Sequence, residues 1–321
     1  MSVKTSEPVD PIVQRLREAV KSSPELGGVA RLYEAILPLV RDADLGEAPL
    51  ALAPGQVVKL REAGVPLLFG LSLDIDLPAA EELMLQLLGR VEALADAGPA
   101  PGRFLFWPRT QKPAHAGQSV ELAALKASAS EIRCAFESGR IAIVQVLEAA
   151  STADFIGLGA IARGRQLAPD LLWTLAQNCI KPALQSWRRQ LQPAPEEISW
   201  PHGYCFLCGA TATLGELQDN VQAKHLRCAQ CGADWSFPVL QCLQCGNEEP
   251  ASRPHFYLDG QSDRRVEACD ACRSYHKVIT AFTPTRPELL VVEDLCSLQL
   301  DLVAREKGYL KADTRYLAKP H

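Results

Sequence analysis

The chain has 321 residues, enough for about two domains with cores of their own, and 47% of them are apolar, which excludes global disorder. Its 33 Lys and Arg against 38 Asp and Glu give a net charge of −5, the wrong sign for a protein that grips a phosphate backbone. No apolar run approaches the roughly 20 residues of a membrane-spanning helix, and the start MSVKTSEPVDP lacks the charged and apolar regions of a signal peptide, so the expected location is the cytoplasm.

Residues 1–191 read as a multi-helix domain with two cysteines and no chemical cluster. PIVQRLREAV and GVARLYEAILPLVRDA space apolar residues at three and four. The strongest helix follows Asp76, a capping residue, with Pro78 in its first turn and a stripe of Leu83, Leu87, Val91 and Leu94 that needs a partner helix. SVELAALKASASEIRCAF, GRIAIVQVLEAA and APDLLWTLAQNCIKPALQSWRRQL continue the pattern, with a kink or break expected at Pro182. GVPLLFGLSLDID and PGRFLFWP are apolar but flanked by Gly and Pro, so they read as extended, partly buried connections, with part of a partner surface as the alternative. FIGLGAIARGR has no third Gly at the spacing of a phosphate loop, no preceding strand and no GK[ST] end, and is better explained by close helix packing. QPAPEEISWPH, residues 192–202, holds three prolines and no periodicity and marks a linker.

The chemistry is concentrated in residues 203–276, where eight of the eleven cysteines form four CxxC turns: Cys205/Cys208, Cys228/Cys231, Cys242/Cys245 and Cys269/Cys272. Two residues between cysteines let both sulfurs of a tight turn face one cation, and two such turns complete a four-thiolate site. Nineteen residues separate the first two pairs and 23 the last two, each enough for a hairpin, whereas only ten lie between the second and third. This spacing predicts one metal ribbon over 203–239 and a second over 240–283, the latter closed by the strand SYHKVITAF. Gly209, Gly232 and Gly246 follow the second cysteine of three turns, where a positive φ is tolerated without steric cost. Arg273 stands there in the fourth, which implies either a strained turn or a cation that offsets the thiolates.

Reducing cytosol favours metal ligation over disulfides for such pairs. The thiolate tetrahedron suits both zinc, which would be structural, and iron, which can cycle by one electron. His202, His225, His255 and His276 find no vacant ligand position, and Cys134, Cys179 and Cys296 read as small buried residues inside helices. A segment 284–321 closes the chain with a helix capped by Asp294, apolar through Leu295, Leu298, Leu302 and Val303, and followed by Gly308. The fold class is therefore α+β: a helical domain, two rubredoxin-like or zinc-ribbon modules and a C-terminal helix.

Two functional classes are weighed down by these residues. A zinc-ribbon nucleic-acid binder or interaction protein with structural zinc is the alternative reading, but residues 203–276 hold six Lys or Arg against nine Asp or Glu, and no nucleic acid is expected as partner. A dithiol enzyme needs a metal-free cysteine at a helix start or beside basic groups, which ribbon spacing disfavours, and there is no nucleophile elbow or phosphate loop.

The four turns, the last of them Cys-Asp-Ala-Cys, followed by VVEDLCSLQLDLVAREKGY, resemble the formate dehydrogenase accessory protein (FdhE) family. The resemblance covers residues 200–310 well and is looser over the helices. It implies a non-catalytic cytoplasmic maturation factor with a helical domain and rubredoxin-like modules that contacts the catalytic subunit of formate dehydrogenase. It also implies iron in two sites held by the eight cysteines of the four turns. Cys296 departs from the family, which has a small apolar residue there.

Overall fold

The computed structural model describes residues 10–22, 26–96, 122–191, 200–219 and 223–315. Among the described residues eight helices come first: α1 Pro11–Ser22, α2 Gly27–Asp42, α3 Pro54–Glu62, α4 Leu77–Asp96, α5 Leu122–Glu137, α6 Ile143–Ser151, α7 Phe155–Gly164 and α8 Pro169–Gln190. The expected stretch PGRFLFWP and most of the linker lie outside the described residues.

Local chemistry accounts for several helix starts. Asp76 accepts the Ala79 N–H at 3.0 Å and so caps α4, and Asp154 accepts the Gly157 N–H at 2.8 Å at the start of α7. Pro54 and Pro169 open α3 and α8, where a missing N–H costs nothing. The α4 stripe is buried at Leu83, Leu87 and Val91, with Met84 and Leu88 beside it, and packs against α5 and α8. α8 runs on through Pro182, so the expected break does not occur there. Leu172, Leu175, Cys179, Ile180 and Leu184 are fully buried around it, and that packing outweighs the hydrogen bond lost at the proline. α3 was not read from the sequence because its apolar residues do not gather on one face.

Seven strands follow among the described residues: β1 Leu214–Gln218, β2 Ala223–Arg227, β3 Asp234–Ser236, β4 His255–Leu258, β5 Gln261–Ala268, β6 Ser274–Ala281 and, after two helices, β7 Leu310–Lys311. β1, β2 and β3 form an antiparallel set, as do β4, β5 and β6. β1 and β6 pair in parallel, Gly215 opposite Val278, and join both sets in one sheet of order β3-β2-β1-β6-β5-β4, with β7 beside β6.

The single C-terminal helix expected from the sequence is two: α9 Leu290–Cys296 and α10 Leu298–Glu306. Ser297 breaks them, its hydroxyl donating back to the Glu293 carbonyl at 2.8 Å. Asp294 is not a cap but lies inside α9, where its carboxylate meets Lys277 at 2.8 Å and Lys311 at 3.0 Å. The break also changes which residues face inward. Leu300 and Ala304 are buried, while Leu302 is 43% exposed. α9 packs on α1 through Val292, Ile12 and Leu16, and α10 covers Val266 and Tyr275 of the sheet.

The main apolar core runs without interruption from the helices into the first ribbon, through Leu184, Trp187, Trp200, Phe206, Leu226 and Trp235. The sheet also buries charge. Lys224 of β2 meets Glu267 of β5 at 2.6 Å, and Lys277 of β6 meets Asp301 of α10 at 2.6 Å, all four side chains at most 4% exposed. No helix among the described residues is long and apolar enough to cross a membrane.

Candidate metal centres

Each CxxC turn is built by the same two hydrogen bonds. The first cysteine's carbonyl accepts the N–H four residues on: Gly209 at 3.0 Å, Gly232 at 2.8 Å, Gly246 at 3.0 Å and Arg273 at 2.8 Å. Its N–H donates to the carbonyl of the next residue, Ala210, Ala233, Asn247 or Ser274, at 2.8 to 3.0 Å. Closing so small a loop drives that fourth residue into the left-handed region, with φ of 74°, 78° and 75° at the three glycines. Arg273 adopts φ 57° at the same position, a conformation an L side chain seldom takes. Its guanidinium is held by Asp270 at 2.9 Å, by the Lys307 carbonyl at 2.7 Å and over the Tyr309 ring at 3.9 Å. Strain in the turn is thus the observed outcome, and the arginine ties it to the end of α10.

The turns come together as the spacing predicts. Cys205, Cys208, Cys228 and Cys231 form one group and Cys242, Cys245, Cys269 and Cys272 another, with all ligand atoms of a group within 4.8 Å of one another. Measured sulfur separations are 3.4 Å for Cys205 to Cys231, 3.7 Å for Cys208 to Cys228, and 3.8 Å for Cys242 to Cys272 and Cys245 to Cys269. A tetrahedron with metal–sulfur bonds of about 2.3 Å has edges of about 3.8 Å, so the sulfurs fit a closed four-thiolate site. All eight cysteines are free of disulfides. Two four-cysteine clusters able to hold metal ions are therefore present, and their donor set does not choose between iron and zinc.

The surroundings differ. The first cluster is sealed, its four cysteines at most 2% exposed. The first part of the apolar connection 64–76 tucks in directly beneath it, whereas Phe69 beyond is 38% exposed: Leu67 and Leu68 donate to the Phe206 and Leu207 carbonyls at 2.8 and 3.0 Å, and the Tyr204 hydroxyl donates to Gly64 at 2.7 Å. The Leu207 N–H points at the Cys205 sulfur at 3.4 Å. Without a cation the four buried sulfurs share protons: hydrogen bonding from Cys205 and its neighbours pulls Cys228 well down, whereas burial pushes Cys231 well up. A bound cation would remove that conflict by favouring four thiolates together.

The second cluster is half open, with Cys245 exposed and Cys272 partly so. Polar groups surround its sulfurs. Ser274 Oγ lies 3.0 Å from Cys272, and the Asn247 amide 3.6 Å from Cys269. Arg253 donates to the carbonyls of Leu240, Asn247 and Ala268 at 2.8 to 3.1 Å, clamping the third turn to the strand that leads into the fourth. Sequence reasoning missed all three residues. A signal for two of them existed, since the position after the turn is Ala210 or Ala233 in the first cluster but Asn247 or Ser274 in the second.

The four nearby histidines stand outside both sulfur groups. His202 stacks on Tyr204, His225 pairs with Asp234 at 2.6 Å, and buried His276 faces Glu267 at 3.6 Å. Cys179 is buried and bonds the Ala80 carbonyl, as a structural cysteine would. Cys134, expected to be buried, is exposed on the outer face of α5, and Cys296 is half-buried at the end of α9.

Residues 240–317, which include the second cluster, match the family described as FdhE, C-terminal domain. A protein FdhE homolog of Aquifex aeolicus is 28% identical over 157 residues, 47% of this chain and 53% of that protein, so the match spans about half the relative's length. One of Pseudomonas aeruginosa is 24% identical over 302 residues, 92% of this chain and 82% of the relative. The crystal structure of the FdhE protein from Pseudomonas aeruginosa shares the fold, with a TM-score of 0.56 at 21% identity, covering 96% of this chain and 94% of that one. The chain is thus similar to FdhE proteins in sequence around the second cluster and in fold over nearly its whole length.

Proposed function

We propose that the chain is an accessory factor for formate dehydrogenase, acting in the cytoplasm without catalysis of its own, that binds the immature catalytic subunit. The eight cysteines Cys205, Cys208, Cys228, Cys231, Cys242, Cys245, Cys269 and Cys272 hold two metal ions that keep the binding form folded. The observation that carries this reading is the coincidence of the FdhE C-terminal domain match with a complete four-sulfur cluster and the helices that close over its sheet.

The residues divide the work. The first cluster and the loop below it fasten the helices to the sheet, and the second stands at the surface where a client subunit can reach it. Family resemblance favours iron over zinc; iron would add one-electron chemistry to the scaffold, and zinc would supply folding energy alone. The test is made in cells that lack the native gene. Formate dehydrogenase activity should return with the parent chain and fall to background with Cys205→Ser. Full activity from both Cys205→Ser and Cys269→Ser would sink the reading.

A further inference from the structure

A cleft of roughly 200 Å³ lies where the helices, the first ribbon and the closing pair α9 and α10 meet. One face of α8 forms part of its lining, since Asp170, Trp173, Thr174, Gln177 and Lys181 recur at spacings of three and four. Tyr33 of α2 and Phe155 of α7 line it beside Trp173, and Cys228 of the first cluster lies along it near Lys181.

Two independent observations point to a ligand. Trp173 is 6% exposed, yet its Nε1–H is buried with no hydrogen-bond partner among the described residues. Such an orphan donor costs stability that an acceptor in the cleft would restore once the ring edge turns toward it. The second is charge. Asp294 and Asp301, also in the lining, are engaged by Lys277 and Lys311, and buried Lys181 is held by the Asn178 side chain next to the thiolates. Of the three acids in the lining, Asp170 alone makes no ion pair among the described residues.

The chemistry around Asp170 is that of a cation site. Its carboxylate lies one helical turn from Trp173, and Phe155 meets the Trp173 ring edge-on at 5.3 Å. Aromatic faces with a carboxylate attract guanidinium and ammonium groups, and the chain's own Arg315 already places its guanidinium 5.3 Å from the Phe155 ring. An orphan N–H beside a cation site suits a peptide, whose backbone carbonyl answers the donor while a basic side chain meets the acid. The volume admits one or two side chains and excludes a folded element.

We propose that this cleft binds an extended, basic peptide segment of a partner protein, its Lys or Arg side chain at Asp170, Phe155 and Trp173 and its backbone carbonyl on the Trp173 indole. As the route to a client, the proposal rests on the accessory reading above; as a binding site it can be tested without it.

The probes are three capped pentapeptides, Ala-Ala-Arg-Ala-Ala and its Gln and Glu counterparts, added to the metal-loaded chain labelled with ¹⁵N-tryptophan. Trp173→Phe assigns the indole resonance. The Arg peptide should move that resonance saturably, the Gln and Glu peptides should not, and Asp170→Asn should weaken binding about tenfold, the factor that corresponds to ~1.4 kcal/mol. Because Asp170 also sits in the first turn of α8, Phe155→Leu serves as a second variant that leaves the carboxylate in place and should weaken binding as well. An unmoved resonance, equal response to the Gln peptide, or unchanged affinity in both variants overturns the cleft proposal and leaves the accessory role standing. Full cellular activity of the cysteine variants overturns the accessory role whatever the peptides do.

Discussion

The two clusters share one turn design and differ in everything around it. Both use paired CxxC turns closed by the same two hydrogen bonds, and both place sulfurs at tetrahedral spacing. The first is sealed in the main core between Trp200, Phe206 and Trp235, with a loop from the helical part bonded to its backbone. The second lies at the surface among Asn247, Arg253 and Ser274 and opens at Cys245. The turn decides which atoms can meet a cation, and the surroundings decide what depends on that cation. On this account the first cluster fastens the whole fold, and the second is the exchangeable one.

The largest contrast should come from removing one ligand of each. Structural four-cysteine sites contribute on the order of 10 kcal/mol to folding, so Cys228→Ser should abolish cooperative unfolding of the entire chain. Cys245→Ser should leave the helices and the first cluster intact and loosen only β4 to β6, as read by circular dichroism and hydrogen exchange. Equal damage from both would erase the distinction.

Next is the ion pair that bridges the two halves of the sheet, Lys224 of the first ribbon with Glu267 of the second. Glu267→Gln leaves Lys224 buried without its counter-charge and should cost about 3–5 kcal/mol in urea unfolding. Burial pushes Glu267 up, but Lys224, His276 and Arg265 outweigh it and hold the carboxyl below its ordinary 4.5. The parent's advantage should therefore be complete above pH 4.5 and shrink only as pH falls through that lowered value. A parent that loses the advantage on going from pH 5 to pH 8 would contradict the assignment.

A finer separation concerns Arg253. Arg253→Met removes the clamp across the second cluster, and we expect about tenfold faster loss of one metal to a chelator with the other unaffected, since about 1.4 kcal/mol corresponds to a factor of ten. Slower or equal release would show that the guanidinium does not support the site. The smallest effect is at the fourth turn. With φ 57° at residue 273, Arg273→Gly should be about 1 kcal/mol more stable than Arg273→Ala, whereas the same pair of residues at an ordinary helical position would rank the other way.

How much of this is legible in the sequence follows from the range of the interactions. The cysteines, their pairing and the glycines of positive φ are fixed within a few residues or by hairpin length, and were readable. The Asp76 cap and the α4 stripe are local too. Asp294 was misread because a capping residue and the partner of a buried lysine look alike until Lys277, 17 residues away, is placed beside it. Pro182 does not break α8 because the packing on that helix comes from elements scattered along the chain. Arg253, the parallel pairing of β1 with β6 and the α8 cleft depend on contacts between distant segments, for which no short motif exists.

The central claim is two separate metal centres of unequal dependence, and one measurement reaches it most directly: iron and zinc counted per chain, with visible absorption, on protein purified without oxygen, as the parent and as Cys245→Ser. The account predicts two equivalents of metal in the parent and one in the folded variant, with thiolate-to-iron charge-transfer bands if the metal is iron. Fewer than two equivalents in a folded parent, or complete metal loss from Cys245→Ser, would contradict it.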